Sequence, residues 1–241
     1  AGMMGSGIAY VAAMAKIEVI LLDSTLSKAE AGKSKVKLIL DEGVKRKKTT
    51  QEQMENALNR ITTTDDYSKL KNTDLVIEAV FENASLKSEV TKFAEAHISK
   101  TTVFATNTST LPISDLATAS MSPENFIGIH FFSPVNKMNL VEIIRGKDTK
   151  DSAVGKALDF VRQIKKTPIV VNDARFFYAN RCIIPYINEG VKMVGEGIEP
   201  ALIENGAKLL GMPVGPLQLI DETSIDLANQ IAIATKTALG K

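Results

Sequence analysis

Short apolar runs alternate with helical stretches over the first 172 residues, and then the runs stop. The runs are EVILLD from Glu18, DLVIEAV from Asp74, VFAT from Val103, FIGIHFF from Phe126, LVEII from Leu140 and TPIVV from Thr167. Ile61 to Asp66 adds a shorter extended piece. Runs of four to seven β-branched and aromatic residues separated by helices give βα alternation, and so a largely parallel sheet. From Phe176 to Ala238 the pattern is helical throughout, broken at Gly195–Gly197, Gly211–Pro213 and Gly215-Pro216. We therefore expect an α/β domain over residues 1–172 and a smaller all-helical domain over 173–241. No internal repeat or low-complexity tract interrupts them.

Residues 1–15, AGMMGSGIAYVAAMA, read as a glycine-rich turn entering an amphipathic helix. Gly2, Gly5 and Gly7 allow backbone N–H groups close to a ligand, and a helix N-terminus favours negative charge. Gly2, Met3, Met4 and Gly5 match the later part of G-x-G-x-x-G. The first glycine and its strand would precede Ala1. A chain opening on Ala1-Gly2 also suggests a piece of something longer. Asp23 ends an apolar strand about twenty residues after the glycines, where the dinucleotide fingerprint places an acid for the ribose hydroxyls. That charge favours NAD over NADP. The alternative for Asp23 is an N-cap for the next helix.

Residues 25–48 read as one long helix with eight basic residues (Lys28, Lys33, Lys35, Lys37, Lys45, Arg46, Lys47, Lys48) against three acids, net +5. A solvated face and a polyphosphate-attracting face both fit. The chain as a whole carries net +1, so no global field favours nucleic acid or membrane. Asp74 to Val80 reads as a buried strand with one acid inside. Phe81-Glu82-Asn83 and Asn107-Thr108-Ser109 leave the C-terminal ends of their strands, where ligands bind in open α/β sheets. The second segment equally suits a helix cap before Leu111.

Ile127 to Ile143 reads as strand, loop, strand, broken by Ser133-Pro134. If the arms pair, His130 and Glu142 can meet, and a carboxylate-oriented histidine is the usual general base near neutral pH. A structural histidine beside an unrelated glutamate fits the same letters. His97 reads as exposed. The single cysteine, Cys182, excludes an internal disulfide and fits a reducing compartment; its apolar helical setting suggests burial. No apolar run is long enough to cross a bilayer, and the first fifteen residues lack a basic leader. A cytoplasmic location is the resulting expectation.

In order along nearly the whole chain, GMMGSGIA, LLD, LVIEAVFEN, ATNTSTL, GIHFFSPV, LVEII, ANR and GMPVGP resemble the L-3-hydroxyacyl-CoA dehydrogenase family. DLVIEAVFEN and VGPLQLIDE are most similar to the dehydrogenase portion of multifunctional fatty-acid-oxidation α-subunits. The resemblance implies a Rossmann-type domain and NAD-dependent oxidation of L-3-hydroxyacyl-CoA to 3-ketoacyl-CoA in β-oxidation. It implies His130 as the catalytic histidine, Glu142 as its carboxylate partner, Ser109 at substrate and nicotinamide, and Asn180 positioning substrate from the helical domain. Asp23, Glu82 and Lys87 match cofactor-contacting positions, and the basic helix matches the region that meets coenzyme A. A preceding enoyl-CoA hydratase domain, a thiolase partner and a homodimer are the associations it implies.

The chain departs from the family's D-x-P-G-F-x-x-N-R before Asn180, with Arg175 taken as the replacement for the glycine. It departs again at Thr223-Ser224-Ile225-Asp226. The helical domain also stops early by comparison. Two other readings stay open on the residues: a dehydrogenase of a small free hydroxy acid using the same pair without coenzyme A, and a catalytically silent NAD-binding module.

Overall fold

The computed structural model of the chain describes residues 1–223. It divides into two compact units, Ala1–Tyr178 and Ala179–Lys241. The helical periodicity expected beyond Thr223, and most of the Thr223–Asp226 departure, lie outside the described residues.

In the first unit, α1 (Met3–Met14) leads to β1 (Val19–Leu22), α2 (Leu26–Lys45), α3 (Gln51–Asn59) and β2 (Ile61–Thr64). Then come β3 (Leu75–Glu78), α4 (Ala84–Glu95), β4 (Val103–Thr106), α5 (Ile113–Ala117), β5 (Phe126–Phe131), β6 (Leu140–Arg145), α6 (Asp151–Gln163) and β7 (Thr167–Asn172). β1 and β2 pair in parallel, and β3-β4-β5-β6-β7 form a second sheet in chain order. All its pairs are parallel except β5 with β6. The alternation of β4 decides the layering. Val103 and Ala105 pack with Ile8 and Val11 of α1 and Ala153, Ala157 and Val161 of α6. Phe104, between them, packs with Ala94 of α4 and Ile113, Leu116 and Ala117 of α5. Period-two side chains thus give the sheet a helical layer on each face. A third core joins Ala9 and Ala13 of α1 to Leu21, Val36, Leu40, Met54 and Ile61.

Several expectations change. α1 begins at Met3, so Gly5 and Gly7 lie inside the helix rather than in a turn before it. Ser6 to Ala9 and Val11 to Ala13 are buried, so this helix is enclosed on most sides and not amphipathic. α2 stops at Lys45, which leaves Arg46, Lys47 and Lys48 in the turn beyond it. β3 is half-buried over Leu75 to Ile77 and buried at Glu78. Cys182 is exposed rather than buried.

The elbow at 173–178 stays with the first unit. Asp173 accepts hydrogen bonds from Ile113 N–H at 2.8 Å and Ser114 N–H at 2.7 Å, serving the start of α5 from 60 residues away. Phe177 is buried in the α4–α5 core. The left-handed backbone falls at Phe176 (φ +69°) and Phe177 (φ +50°), not at Arg175. Counting back from Asn180, Phe176 stands where the family motif has glycine. The conformation that glycine adopts freely is kept here by a residue for which it costs energy.

The second unit contains α7 (Ala179–Gly195), α8 (Pro200–Leu209) and α9 (Pro216–Thr223). The side chains that close it are local. Tyr186 donates to Val214 O at 2.8 Å, and Glu204 accepts from Leu217 N–H at 2.9 Å at the start of α9. Gly190 lets Pro216 come so near that a Cβ there would lie 2.5 Å from it.

Candidate active site

The functional groups of the first unit gather where the parallel strands end. Glu78 pairs with Thr106 across β3 and β4, and Thr106 with Gly128 across β4 and β5. His130 follows two residues later on the same face of β5. It stands directly opposite Glu142 of β6, so the antiparallel arms bring the two side chains together.

His130 Nδ1 lies 2.7 Å from Glu142 Oε2. The histidine side chain is 7% exposed and the carboxylate 0%, so this pair works with little competing water. With Nδ1–H donating to the carboxylate, the neutral imidazole carries its lone pair on Nε2, the form a proton acceptor needs. Glu142 Oε1 also accepts from the Tyr178 N–H at 3.0 Å, which fixes the carboxylate from both ends. The rings of Phe132 and Phe177 lie 4.5 and 6.0 Å from the imidazole, centroid to centroid. The loop between the arms starts at a cis Ser133–Pro134 bond. Lys166 Nζ holds it by donating to Val135 O and Met138 O at 2.6 and 2.5 Å. Val135 in turn rests on Gly7, where a Cβ would lie 2.8 Å from the valine.

A second constellation surrounds Ser109. Glu82 Oε1 accepts from Thr108 Oγ1 (2.6 Å), Ser109 N–H (2.9 Å), Ser109 Oγ (3.3 Å), Thr110 N–H (2.9 Å) and Thr110 Oγ1 (3.0 Å). Burial alone would raise the Glu82 carboxyl. The Thr108 hydroxyl, the nearby Lys87 ammonium and the two amides outweigh it and hold the group below the usual carboxylate range. Thr108 also accepts from Leu111 N–H at 3.0 Å, so it does cap a turn, but α5 starts only at Ile113. Asn107 Oδ1 accepts from Phe131 N–H at 2.9 Å, tying this turn to the strand that carries His130.

Asp23 does not cap α2. Thr25 does, accepting from Lys28 N–H at 3.3 Å. The Asp23 carboxylate lies instead at the turn before α1, with Oδ2 2.8 Å from the Ala1 nitrogen. No side chain caps the N-terminus of α1, and a Cβ at Gly2 or Gly5 would meet nothing within 4 Å. The first-turn amides of Met3, Met4 and Gly5 thus border open space, next to the Asp23 carboxylate. These residues fit a dinucleotide diphosphate.

The basic stretch is less free than its letters suggest. Lys33 donates to Ile61 O at 2.6 Å, Lys28 to Ser24 Oγ at 3.0 Å, and Lys37 pairs with Asp41 and Arg46 with Glu42. Lys35, Lys45, Lys47 and Lys48 have no such partner among the described residues. Lys87 is 1% exposed, its ammonium on Glu78, so it offers a ligand no surface of its own. Asn180 is the second residue of α7, in the other unit. Among the described residues no cluster of His, Cys, Asp and Glu could hold a metal ion.

Residues 1–174 match the model of the 3-hydroxyacyl-CoA dehydrogenase NAD binding domain, and residues 177–241 that of the 3-hydroxyacyl-CoA dehydrogenase C-terminal domain. The chain belongs to the 3-hydroxyacyl-CoA dehydrogenase family. Among its relatives is the fatty acid oxidation complex subunit alpha of Shewanella sp. (strain MR-7), 40% identical over 241 residues, all of this chain and 34% of that protein. The chain therefore spans about a third of the length of the curated relatives it matches. The (S)-3-hydroxybutyryl-CoA dehydrogenase PaaH1 from Ralstonia eutropha superposes with a TM-score of 0.94 at 36% identity, covering 100% of this chain and 86% of that one. FadB2 of M. tuberculosis gives 0.93 at 32% identity, with the same coverage. The family's NAD-binding domain is thus the first unit, and its helical C-terminal domain the second.

The letters did not reveal Lys166, the Tyr178 amide or what Glu78 holds. The single acid within the apolar run DLVIEAV was the one available signal for Glu78. Nothing in the sequence marked the amide of Tyr178 as a partner for Glu142.

Proposed function

We propose that the chain catalyses the NAD-dependent interconversion of L-3-hydroxyacyl-CoA and 3-ketoacyl-CoA, as in fatty acid β-oxidation. The observation that carries this reading is the buried His130–Glu142 pair, opposed across β5 and β6 at the ligand end of the sheet. In the oxidative direction, His130 Nε2 takes the proton of the substrate 3-hydroxyl as the C3–H bond gives up a hydride and the C3–O bond becomes a carbonyl. Bound NAD supplies the acceptor for that hydride. Glu142 stabilises the imidazolium that forms and keeps the ring oriented. In reduction, the imidazolium returns the proton to the developing alkoxide.

The α1 amides of Met3, Met4 and Gly5, with Gly2 before them, would hold the cofactor diphosphate. Asp23 would accept the ribose hydroxyls, and Glu82, backed by Lys87, would border the nicotinamide half. Ser109 would contact substrate and nicotinamide, and Asn180 would position the acyl-CoA from the helical unit. Lys45, Lys47 and Lys48 would meet the coenzyme A phosphates. The resemblance to α-subunits supports a place beside an enoyl-CoA hydratase activity, in a complex with a thiolase and as a homodimer. A lone, exposed cysteine suits the cytoplasm, where thiols stay reduced. The test is reduction of acetoacetyl-CoA by NADH, followed at steady state. Turnover with a coenzyme A thioester and none with free acetoacetate is expected; the reverse preference would replace this reading with that of a free-acid dehydrogenase.

A further inference from the structure

Behind the Ser109 turn lies a buried charge relay whose first member has no part in the scheme above. Glu78, at the end of β3, is 5% exposed, and Lys87, one turn into α4, is 1% exposed. The Lys87 ammonium lies 3.0 and 3.2 Å from the two oxygens of Glu78 and 3.6 Å from Glu82 Oε2. Glu78 also accepts from the hydroxyl of Thr106 and, at 3.1 Å, from the Val80 N–H. Its carboxylate is therefore fixed to both strands. Glu82 spends its other oxygen on the 108–110 turn.

We propose that Glu78 is a positioning residue for the reaction: it anchors the Lys87 ammonium beneath Glu82, and Glu82 so placed sets the turn that presents Ser109. A single lysine between two carboxylates divides its attraction between them. With Glu78 in place, the ammonium stays on β3 and leaves Glu82 Oε1 to the turn. Without that charge, the buried ammonium has only Glu82 to neutralise it. It then draws the Glu82 carboxylate inward, and the five donors of the turn lose their shared acceptor. Lys87 acts through Glu82 rather than by touching a ligand, as its burial requires. What the turn contacts rests on the dehydrogenase reading; that the relay sets the turn does not.

The test uses the full chain with Glu78→Gln, Glu82→Gln and the double variant Glu78→Gln/Lys87→Met. Glu78→Gln should lower kcat for acetoacetyl-CoA reduction by about tenfold or more, as expected when a reacting group is displaced by about an ångström. The loss should fall mainly on kcat, with smaller changes in NADH affinity and in the KM for acyl-CoA, because the displaced turn, and not either buried residue, meets the ligands. The Ser109 and Thr110 amide protons, held downfield by a carboxylate acceptor, should move upfield. Should Glu78→Gln fold poorly, the double variant, which removes both buried charges, carries the test. It should regain thermal stability, and its kcat should stay below wild type, because Glu82 Oε2 no longer has the Lys87 ammonium to hold it. Recovery of kcat together with stability would show the pair to be core filling and overturn the proposal. A tenfold weaker NADH affinity with unchanged kcat at saturation would make Lys87 a direct contact and overturn it too. A wild-type chain inactive on acyl-CoA would sink the dehydrogenase reading, while unchanged Ser109 and Thr110 shifts in Glu78→Gln would sink the relay.

Discussion

Glu142→Gln is the substitution that most sharply separates a catalytic pair from two neighbours. Glutamine keeps the shape and one acceptor oxygen for His130 Nδ1–H, but removes the charge facing the imidazolium. The carboxylate is fully buried, with its oxygens 2.7 Å from the ring nitrogen and 3.0 Å from the Tyr178 amide. Opposite unit charges about 4 Å apart attract by about 4 kcal/mol at an effective dielectric near 20. A retained hydrogen bond returns part of that. With each ~1.4 kcal/mol worth a factor of ten in rate, kcat should fall by roughly ten- to a thousandfold. The assay is a double-mutant cycle on kcat, with NADH affinity measured alongside. His130→Gln alone should abolish most activity, and the double variant should be little worse, since residues acting as a unit are not additive. Independent, additive losses would mean that Glu142 does not act through His130, and the reasoning from the paired strands would fail.

Three further outcomes follow from the same geometry. Asp23 should make the chain prefer NADH to NADPH, because a 2′-phosphate would meet a like charge; equal or tighter NADPH binding in a titration would contradict this. Gly5→Ala should raise thermal stability slightly, by about 0.5–1 kcal/mol of helix propensity with no clash, yet weaken NADH binding by about tenfold, because the new methyl occupies the space bordering the α1 amides. An unchanged NADH affinity would place the diphosphate elsewhere. Neutralising Lys45, Lys47 and Lys48 together should raise the KM for acyl-CoA, and the wild-type KM should rise with salt; if neither changes, these lysines are only a solvated face.

Much of the first unit was legible because its sheet is built from apolar runs too short to be helices. The separation of His130 from Glu142 by a breakable loop already allowed their pairing. What the letters hid depends on three-dimensional company. Lys87, in ASLKSEV, looks like any exposed helical lysine until β3 delivers Glu78 beneath α4. The basic stretch promised eight charges, and folding engages Lys28, Lys33, Lys37 and Arg46 locally. The elbow shows the opposite case. Its motif spacing carried the information, since Phe176 occupies the glycine position, but only the backbone made the left-handed turn visible.

The central claim is that His130, held by Glu142, exchanges a proton with the substrate oxygen while a hydride passes between C3 and the nicotinamide. The most direct measurement is reduction of acetoacetyl-CoA with NADH carrying deuterium at both C4 positions, with mass spectrometry of the hydroxyacyl product from wild type and His130→Gln. The account predicts one deuterium at C3 of the wild-type product, and almost no product from His130→Gln despite normal NADH binding. Unlabelled product, or full labelled turnover by His130→Gln, would contradict it.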